Sequence, residues 1–204
     1  MYDNATSEPV FIPKTYGKSI DASQLPEGIA RFFPVSSPES TSGLPLHILL
    51  PILKWVREDV AEIRRALEGV EMRMRGGSVL IIYEADWDKA EVGVKYLEEQ
   101  KQREPEGTVQ DDGEDEDEYE EDGEEDDDEY EEEDDGDGED DDEYEEEGDG
   151  DENTAKPVPY VVKLIDFAHT RVKPGEGPDE GVLMGLETTV ELLEGRIEQL
   201  YNNR

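Results

Sequence analysis

Cysteine is absent from the 204-residue sequence, which excludes disulfide bonds and any metal or nucleophile chemistry based on thiols. The N-terminus shows no basic, apolar leader, and the longest apolar run, near residues 79–83, is far too short to span a bilayer. These absences predict an intracellular protein of the cytoplasm or nucleus, without a membrane span.

Positive charge is missing from one long stretch. Residues 111–152 hold 33 of the 59 acidic residues and no Lys or Arg, whereas the rest of the chain has 26 acidic and 19 basic residues, a net charge of -7. Such a tract repels itself and has almost nothing apolar to bury, so we expect residues 106–152 to form a disordered acidic insertion. Its charge disfavours nucleic acid; the tract could attract basic proteins, or it could be an insertion that only solubilises the chain.

The remaining sequence predicts one α+β domain over residues 16–105 and 153–204, after an irregular N-terminus over residues 1–15. Two long helices are expected, because apolar residues recur at intervals of three and four. The stripe of the first helix comprises Leu46, Leu49, Leu50, Leu53, Val56, Val60, Ile63 and Leu67, and that of the second comprises Leu186, Val190, Leu193, Ile197 and Leu200.

Two runs rich in β-branched residues, near 78–84 and 160–166, predict buried strands that pair with each other. The polar segment 85–104, which lies after the first run, favours a short exposed helix. A short helix is also expected near residues 25–33, ending at Pro34.

Asp166 ends the second strand, so a carboxylate lies where a rigid element opens into a loop. A carboxylate so placed can hold a hard cation such as Mg²⁺, which takes oxygen ligands and often bridges to phosphate. The loop then supplies donors suited to anionic oxygens, namely His169, Thr170, Arg171 and Lys173. The same pattern is equally typical of a strand–loop–helix joint in which the Asp caps a turn.

The amino-acid sequences of two segments around this joint resemble the C-terminal signature of the inositol polyphosphate kinase family. The segments read LIDFAHT over residues 164–170 and GPDEGVLMGLE over residues 177–187. Family members carry an Ile-Asp-Phe metal-binding motif and then a Gly-Pro-Asp…Gly-Leu-Glu segment that opens the last helix. The resemblance implies the C-terminal lobe of a protein-kinase-like, SAICAR-synthase-like fold, with an antiparallel strand pair packed against helices.

The resemblance also implies an activity, the transfer of the γ-phosphoryl group of ATP to a phosphorylated inositol with Mg²⁺ as cofactor. It places the metal ion on Asp166 and a phosphate of the inositol substrate on His169. Gly185 and Glu187 would support the site structurally.

Two weaker matches add candidate residues. A Tyr-Gly-Lys step ending at Lys18 precedes a short helix, as in the family, and implies that Lys18 contacts a substrate phosphate. Residues 77–80 match a Ser-Ser-Leu-Leu motif of the family, which makes Ser78 a support of the nucleotide site. Gly77 replaces the first serine of that motif, so one hydroxyl of the family pattern is missing.

The family's Pro-x-x-x-Asp-x-Lys-x-Gly motif, which holds the catalytic Asp, and its ATP-binding N-terminal lobe are not found in residues 1–14. The catalytic residue is therefore unknown, and we expect either a truncated copy of such a kinase or a remnant without catalysis. The alternative function is a non-catalytic protein whose acidic tract, residues 111–152, binds basic partners. A protein kinase is disfavoured, because no His-Arg-Asp or Ala-Pro-Glu motif accompanies Asp166.

Overall fold

The computed structural model describes residues 2–38, 40–103 and 156–203. The chain divides into two units, and the described residues all belong to the first, which comprises residues 1–105 and 156–204. The expected disordered insertion, residues 106–152, lies outside the described residues.

The described residues alternate between helices and short strands, which confirms the predicted α+β class. In chain order the elements are β1 (Tyr2–Asp3), β2 (Glu8–Pro9), α1 (Lys14–Ser19), α2 (Leu25–Phe32), α3 (Leu46–Glu68), β3 (Met72–Met74), β4 (Ser78–Tyr83), α4 (Trp87–Arg103), β5 (Tyr160–Ile165), β6 (Thr170–Val172) and α5 (Glu180–Asn202). Single 3₁₀ turns, Ala22–Gln24 and Phe167–His169, precede α2 and β6. The strands pair antiparallel as β1–β2, β3–β6 and β4–β5.

Helix α3 forms the centre of the hydrophobic core. The middle of its predicted stripe is fully buried, as at Leu53 and Val56. A second face, which includes Ile52 and Trp55, is buried as well. This second face is not part of the predicted stripe, and it is buried because α3 is covered from several sides, by α5, by α4 and by β5.

Helix α5 packs along α3 through the predicted apolar stripe, in which Leu193 is fully buried. Two ion pairs flank this contact: Arg64 Nε lies 2.5 Å from Glu187 Oε2, and Arg57 Nε donates to Glu194 Oε1 at 2.9 Å. Because these side chains are partly exposed, each pair contributes less than about 1 kcal/mol of stability. The pairs therefore orient α5 on α3, while the apolar stripe stabilises the contact.

Strands β4 and β5 pair as predicted, with Ser78 opposite Ile165 and Tyr83 opposite Tyr160. The expectation that both strands are mostly buried is wrong. Their residues alternate between partly buried and exposed, and Ile82 is 55% exposed. One face of this pair packs against the core while the other faces outward, as is common for antiparallel strands.

The N-terminal segment, expected to be irregular over residues 1–15, contains the β1–β2 hairpin and the start of α1. Asn4 connects this hairpin to the start of α4. Its side-chain oxygen accepts from the Trp87 amide at 2.9 Å, and its side-chain nitrogen donates to the Ala85 carbonyl at 3.0 Å. The segment is thus joined to the domain by specific polar contacts.

Helix α4, expected to be short and exposed, has 17 residues and buries one face that includes Ala90, Gly93 and Val94. At Gly93 the helix lies directly on the chain segment that leads into β5. A Cβ atom there would lie 2.8 Å from Pro159 Cβ and 2.9 Å from the Pro157 carbonyl oxygen. Glycine is required because the obstacle includes backbone, which cannot move aside.

We expect Gly93→Ala to lower the free energy of unfolding by about 1–3 kcal/mol, because the added methyl group overpacks this contact. The matched control is Gly195→Ala on α5, where a Cβ atom would meet nothing within 4 Å. That change should raise stability by about 0.5–1 kcal/mol through helix propensity alone. Urea unfolding of both variants measures the difference, and equal effects would contradict the close approach.

Candidate functional site

The candidate site lies at a break between two stretches of antiparallel pairing. The β3–β6 pairing ends at Met74 opposite Thr170, and the β4–β5 pairing begins at Ser78 opposite Ile165. Between these pairs one segment has three residues, 75–77, and the other has four, 166–169. Unequal segments cannot stay in ladder register, so the backbone bends here and releases side chains from the regular face pattern.

Asp166 lies in the break with a left-handed backbone, at φ 69° and ψ 51°. This conformation is uncommon for residues other than glycine, although Asp tolerates it better than most, and it costs on the order of 1 kcal/mol. Gly76 on the facing segment also has a positive φ, 73°. The Asp166 side chain is exposed and makes no hydrogen bond within the described part of the chain. Its carboxylate is therefore free to take a ligand.

Basic side chains gather on and beside the β3–β6 pair. Arg73 lies directly opposite Arg171 in the pair, and Arg75, His169 and Lys173 lie next to the two strands in the chain. These residues line one cleft of about 520 Å³, formed by Arg73, Arg75, Ala168, His169, Arg171 and Lys173. We call it the basic cleft.

The charges of the basic cleft repel one another. Like charges directly opposite on neighbouring strands destabilise the pairing, and Arg73 and Arg171 are such a pair. The side chains of Arg75, His169 and Arg171 form no hydrogen bond or ion pair with other described residues. An anion with several negative groups would relieve this repulsion and would find unengaged donors.

The sequence analysis named His169, Arg171 and Lys173 but missed Arg73 and Arg75. The signal that could have found them is the period of two in both segments, since basic residues stand at alternate positions. That period predicts strands with one cationic face. The segment from His169 to Lys173 was instead interpreted as a loop.

The loop between β6 and α5 is held by residues of and beside β3. Glu71 accepts from the Gly175 amide at 2.7 Å and from the Gly177 amide at 3.2 Å, one with each carboxylate oxygen. Arg73 donates to the Gly177 carbonyl and to the Glu176 carbonyl, both at 2.9 Å. The two side chains therefore hold the loop by its donors and by its acceptors.

Asp179 joins the same loop to the start of α5. Its carboxylate caps the helix by accepting from the amides of Gly181 and Val182, and it also accepts from the Met74 amide at 3.0 Å. These amides, Met74 first, hold the pKa of Asp179 below its ordinary value. The sequence analysis gave this residue no role beyond the family signature.

A second cleft, of about 610 Å³, lies between the break and the first turns of α5. Ser78 and Gly185 both line it, so the structure brings these two predicted residues together. Glu187 faces away from this cleft and pairs with Arg64 of α3, a contact suited to structural support. Lys18 is exposed on α1 and lines neither cleft, so the structure does not join it to His169.

The single carboxylate of Asp166 suits a metal ion whose other ligands come from a bound substrate and from water. Among residues 2–38, 40–103 and 156–203 there is no group of three or more His, Cys, Asp or Glu side chains able to hold a metal ion. Mg²⁺ is commonly held by one or two carboxylates and completes its shell with water and substrate phosphates. The single exposed carboxylate of Asp166 fits that mode.

Comparison with known proteins decides the family. A sequence model described as inositol polyphosphate kinase matches residues 1–194, which is most of the chain. The chain belongs to the inositol polyphosphate kinase family. This confirms the resemblance, and the family match also includes the N-terminal segment before Tyr16, where we had recognised no motif.

The fold is similar to a crystal structure of the inositol phosphate multikinase Ipk2 from S. cerevisiae in complex with ADP and Mn²⁺. The TM-score is 0.50 at 20% sequence identity, over 93% of this chain and 52% of that one. This chain thus spans about half the length of the yeast kinase. A search of curated proteins gives no match. No helix among the described residues is long and apolar enough to cross a membrane.

We expect Asp179→Ala to lower the free energy of unfolding by about 1–2 kcal/mol at pH 7, because the helix loses its cap and β3 loses its contact with the loop. The folded-state pKa of Asp179 lies below the unfolded value of about 3.9. Its contribution is therefore complete above that value and disappears as the pH falls through the folded-state pKa.

Urea unfolding of wild type and Asp179→Ala between pH 7 and pH 2 measures this dependence. The two curves should converge at the acid end. Glu180→Gln, which removes a neighbouring charge that is exposed in the first turn of α5, is the control. A stability difference for Asp179→Ala that stays constant over the whole range would contradict the capping role.

Proposed function

We propose that this chain provides the substrate-phosphate and metal sites of an inositol phosphate kinase, which transfers the γ-phosphoryl group of ATP to a phosphorylated inositol. The observation that carries the proposal is the basic cleft, whose lining residues Ala168 and His169 follow the exposed carboxylate of Asp166 in the same break of the strand pairing. Family membership supports the reaction class, and the arrangement of the basic residues and Asp166 supports the roles given to them below. The lobe assignment, residues 16–105 and 153–204 as a C-terminal kinase lobe, belongs to the same proposal.

The basic cleft would bind the phosphate groups of the inositol. Arg75, His169 and Arg171 provide donors that are not engaged by other described residues, and Lys173 pairs only loosely with Glu176, at 3.7 Å. Phosphate groups spaced around a ring can meet several such donors at once. Arginine suits this task because its planar guanidinium binds phosphate oxygens in pairs.

Asp166 would hold Mg²⁺ together with the phosphates of ATP. The ion, when bound, neutralises charge that develops on the transferred phosphoryl group. The cleft lined by Ser78 and Gly185 lies on the other side of the break and is the candidate support for the nucleotide. The backbone of Asp166 is in the left-handed region, and uncommon conformations of this kind cluster at functional sites.

The alternative function, an interaction protein whose acidic tract binds basic partners, rests on residues 111–152. These lie outside the described residues, and the alternative stays a prediction from composition. The contact of Lys18 with a substrate phosphate likewise stays a prediction.

We expect Arg75→Gln and Arg171→Gln each to weaken binding of inositol hexakisphosphate by about fivefold or more at low salt, and the double change to weaken it further. Each substitution removes one charge-assisted contact to phosphate. Titration calorimetry with the full chain measures the affinity. Arg65→Gln on α3 changes the net charge equally, on an exposed side chain whose one ion-pair partner among the described residues is Glu62, and should leave the affinity within about twofold. Equal losses for all three variants would contradict a defined site.

We expect Asp166→Asn to abolish the gain in ATP affinity that Mg²⁺ gives the wild type, about tenfold or more, and to reduce any phosphoryl transfer to background. Asn tolerates the left-handed conformation as well as Asp does, so the fold should be unchanged. ATP binding with Mg²⁺ and with EDTA provides the comparison, and Asp88→Asn, exposed in the first turn of α4, is the control. A gain from Mg²⁺ that persists in Asp166→Asn would rule out this metal ligand.

A further inference from the structure

Glu71 is an acidic side chain at the end of the basic cleft. Its position is opposite Lys173, whose amide donates to the Glu71 carbonyl at 2.7 Å. A carboxylate next to a site for a polyanion weakens that site by repulsion, so its presence calls for a reason. The contacts of its carboxylate supply one.

The carboxylate of Glu71 faces the backbone of the loop and forms no ion pair with the basic residues. Its two oxygens accept from the amides of Gly175 and Gly177, which both have positive φ angles, 82° and 68°. Alternating backbone amides of this kind form a concave set of donors that an anion satisfies. Glu71 is that anion, and it fixes the curvature of the loop.

The curvature of the loop fixes Arg73 in turn. The guanidinium of Arg73 donates to the carbonyls of Glu176 and Gly177, and these carbonyls belong to the same turn whose amides Glu71 holds. Arg73 lines the basic cleft, as does Lys173 at the start of the turn. If the turn moved, both side chains would lose their present positions in the cleft wall.

We infer that Glu71 is a positioning residue for polyphosphate binding. It holds the 173–177 turn so that Arg73 and Lys173 face the same anion as Arg171. The inference rests on the proposed function, because it concerns the same cleft. The inference adds that Glu71, although its negative charge repels an anionic ligand, is needed for tight binding.

The test compares Glu71→Gln with Glu176→Gln in the full chain, using inositol hexakisphosphate as the probe in titration calorimetry. Both substitutions remove one negative charge beside the basic cleft. Only Glu71→Gln deprives one of the two amides of its acceptor, because a Gln side chain has one acceptor oxygen and presents an N–H group to the other amide. Glu176 contacts Arg73 and Lys173 through ion pairs at 3.7 Å, and its side chain holds no backbone amide.

We expect Glu71→Gln to weaken the affinity about fivefold or more and to make binding less sensitive to salt, although it removes a repulsive charge. Glu176→Gln should bind as tightly as wild type or tighter. A residue that only stabilised the fold would lower the melting temperature and leave the affinity of the folded protein unchanged. Affinity for Glu71→Gln that equals or exceeds that of Glu176→Gln overturns the inference.

Arg73→Lys is the second variant, in case Glu71→Gln does not fold. It keeps the charge but cannot hold two carbonyls in the fork geometry of a guanidinium. We expect weaker binding at equal net charge, and unchanged binding would also overturn the inference. A wild-type chain that does not bind inositol hexakisphosphate at low salt would instead remove the proposed function itself, which keeps the two failures distinct.

Discussion

The unequal break in the strand pairing is the constraint on which the site depends. Pairing on both sides of the break is in register, with Met74 opposite Thr170 and Ser78 opposite Ile165. The chain must therefore fit four residues against three between two fixed pairs. The left-handed conformation of Asp166 accommodates the extra residue. This conformation costs energy, and the strand pairs on either side hold it in place. Regular pairing would have placed this carboxylate on a sheet face and engaged its backbone, whereas in the break the side chain is exposed.

The second constraint is that polar contacts fix the loop beside the site. The core is centred on α3 and α5, and Met72 and Met74 of β3 are buried as well, whereas Arg73 between them is only partly buried. Glu71, Arg73 and the Met74 amide hold the loop that leads into α5. Each bond to a charged group contributes about 1.5–3 kcal/mol at most. The loop is thus fixed by directed contacts, and Glu71 and Arg73 each provide two of them.

Much of the fold was accessible from the sequence because long periodic patterns report burial directly. The stripes of α3 and α5 and the pairing of two β-branched runs are of this kind. The second buried face of α3, which includes Trp55, depends on how many elements surround the helix, and one helical period does not encode that number. The short strands β3 and β6 were missed for a different reason. Three residues are too few for a propensity signal, so only the alternation of basic residues, from Arg73 and from His169, could have revealed them.

Some site residues could be recognised from the sequence, and others only from the structure. Asp166 and His169 were recognised because they belong to a family sequence signature. Glu71 belongs to no motif, and its role follows from the two backbone amides that its carboxylate accepts from. The charge balance explains why such a residue is needed. Arg73 and Arg171 lie opposite each other and destabilise the unliganded pairing, so the cleft would relax by moving them apart. Holding cations together before the ligand arrives requires a fixed counter-group that does not occupy the ligand's place. A carboxylate bound to backbone amides at the edge of the cleft meets both requirements, because its field lowers the repulsion while its oxygens are already engaged.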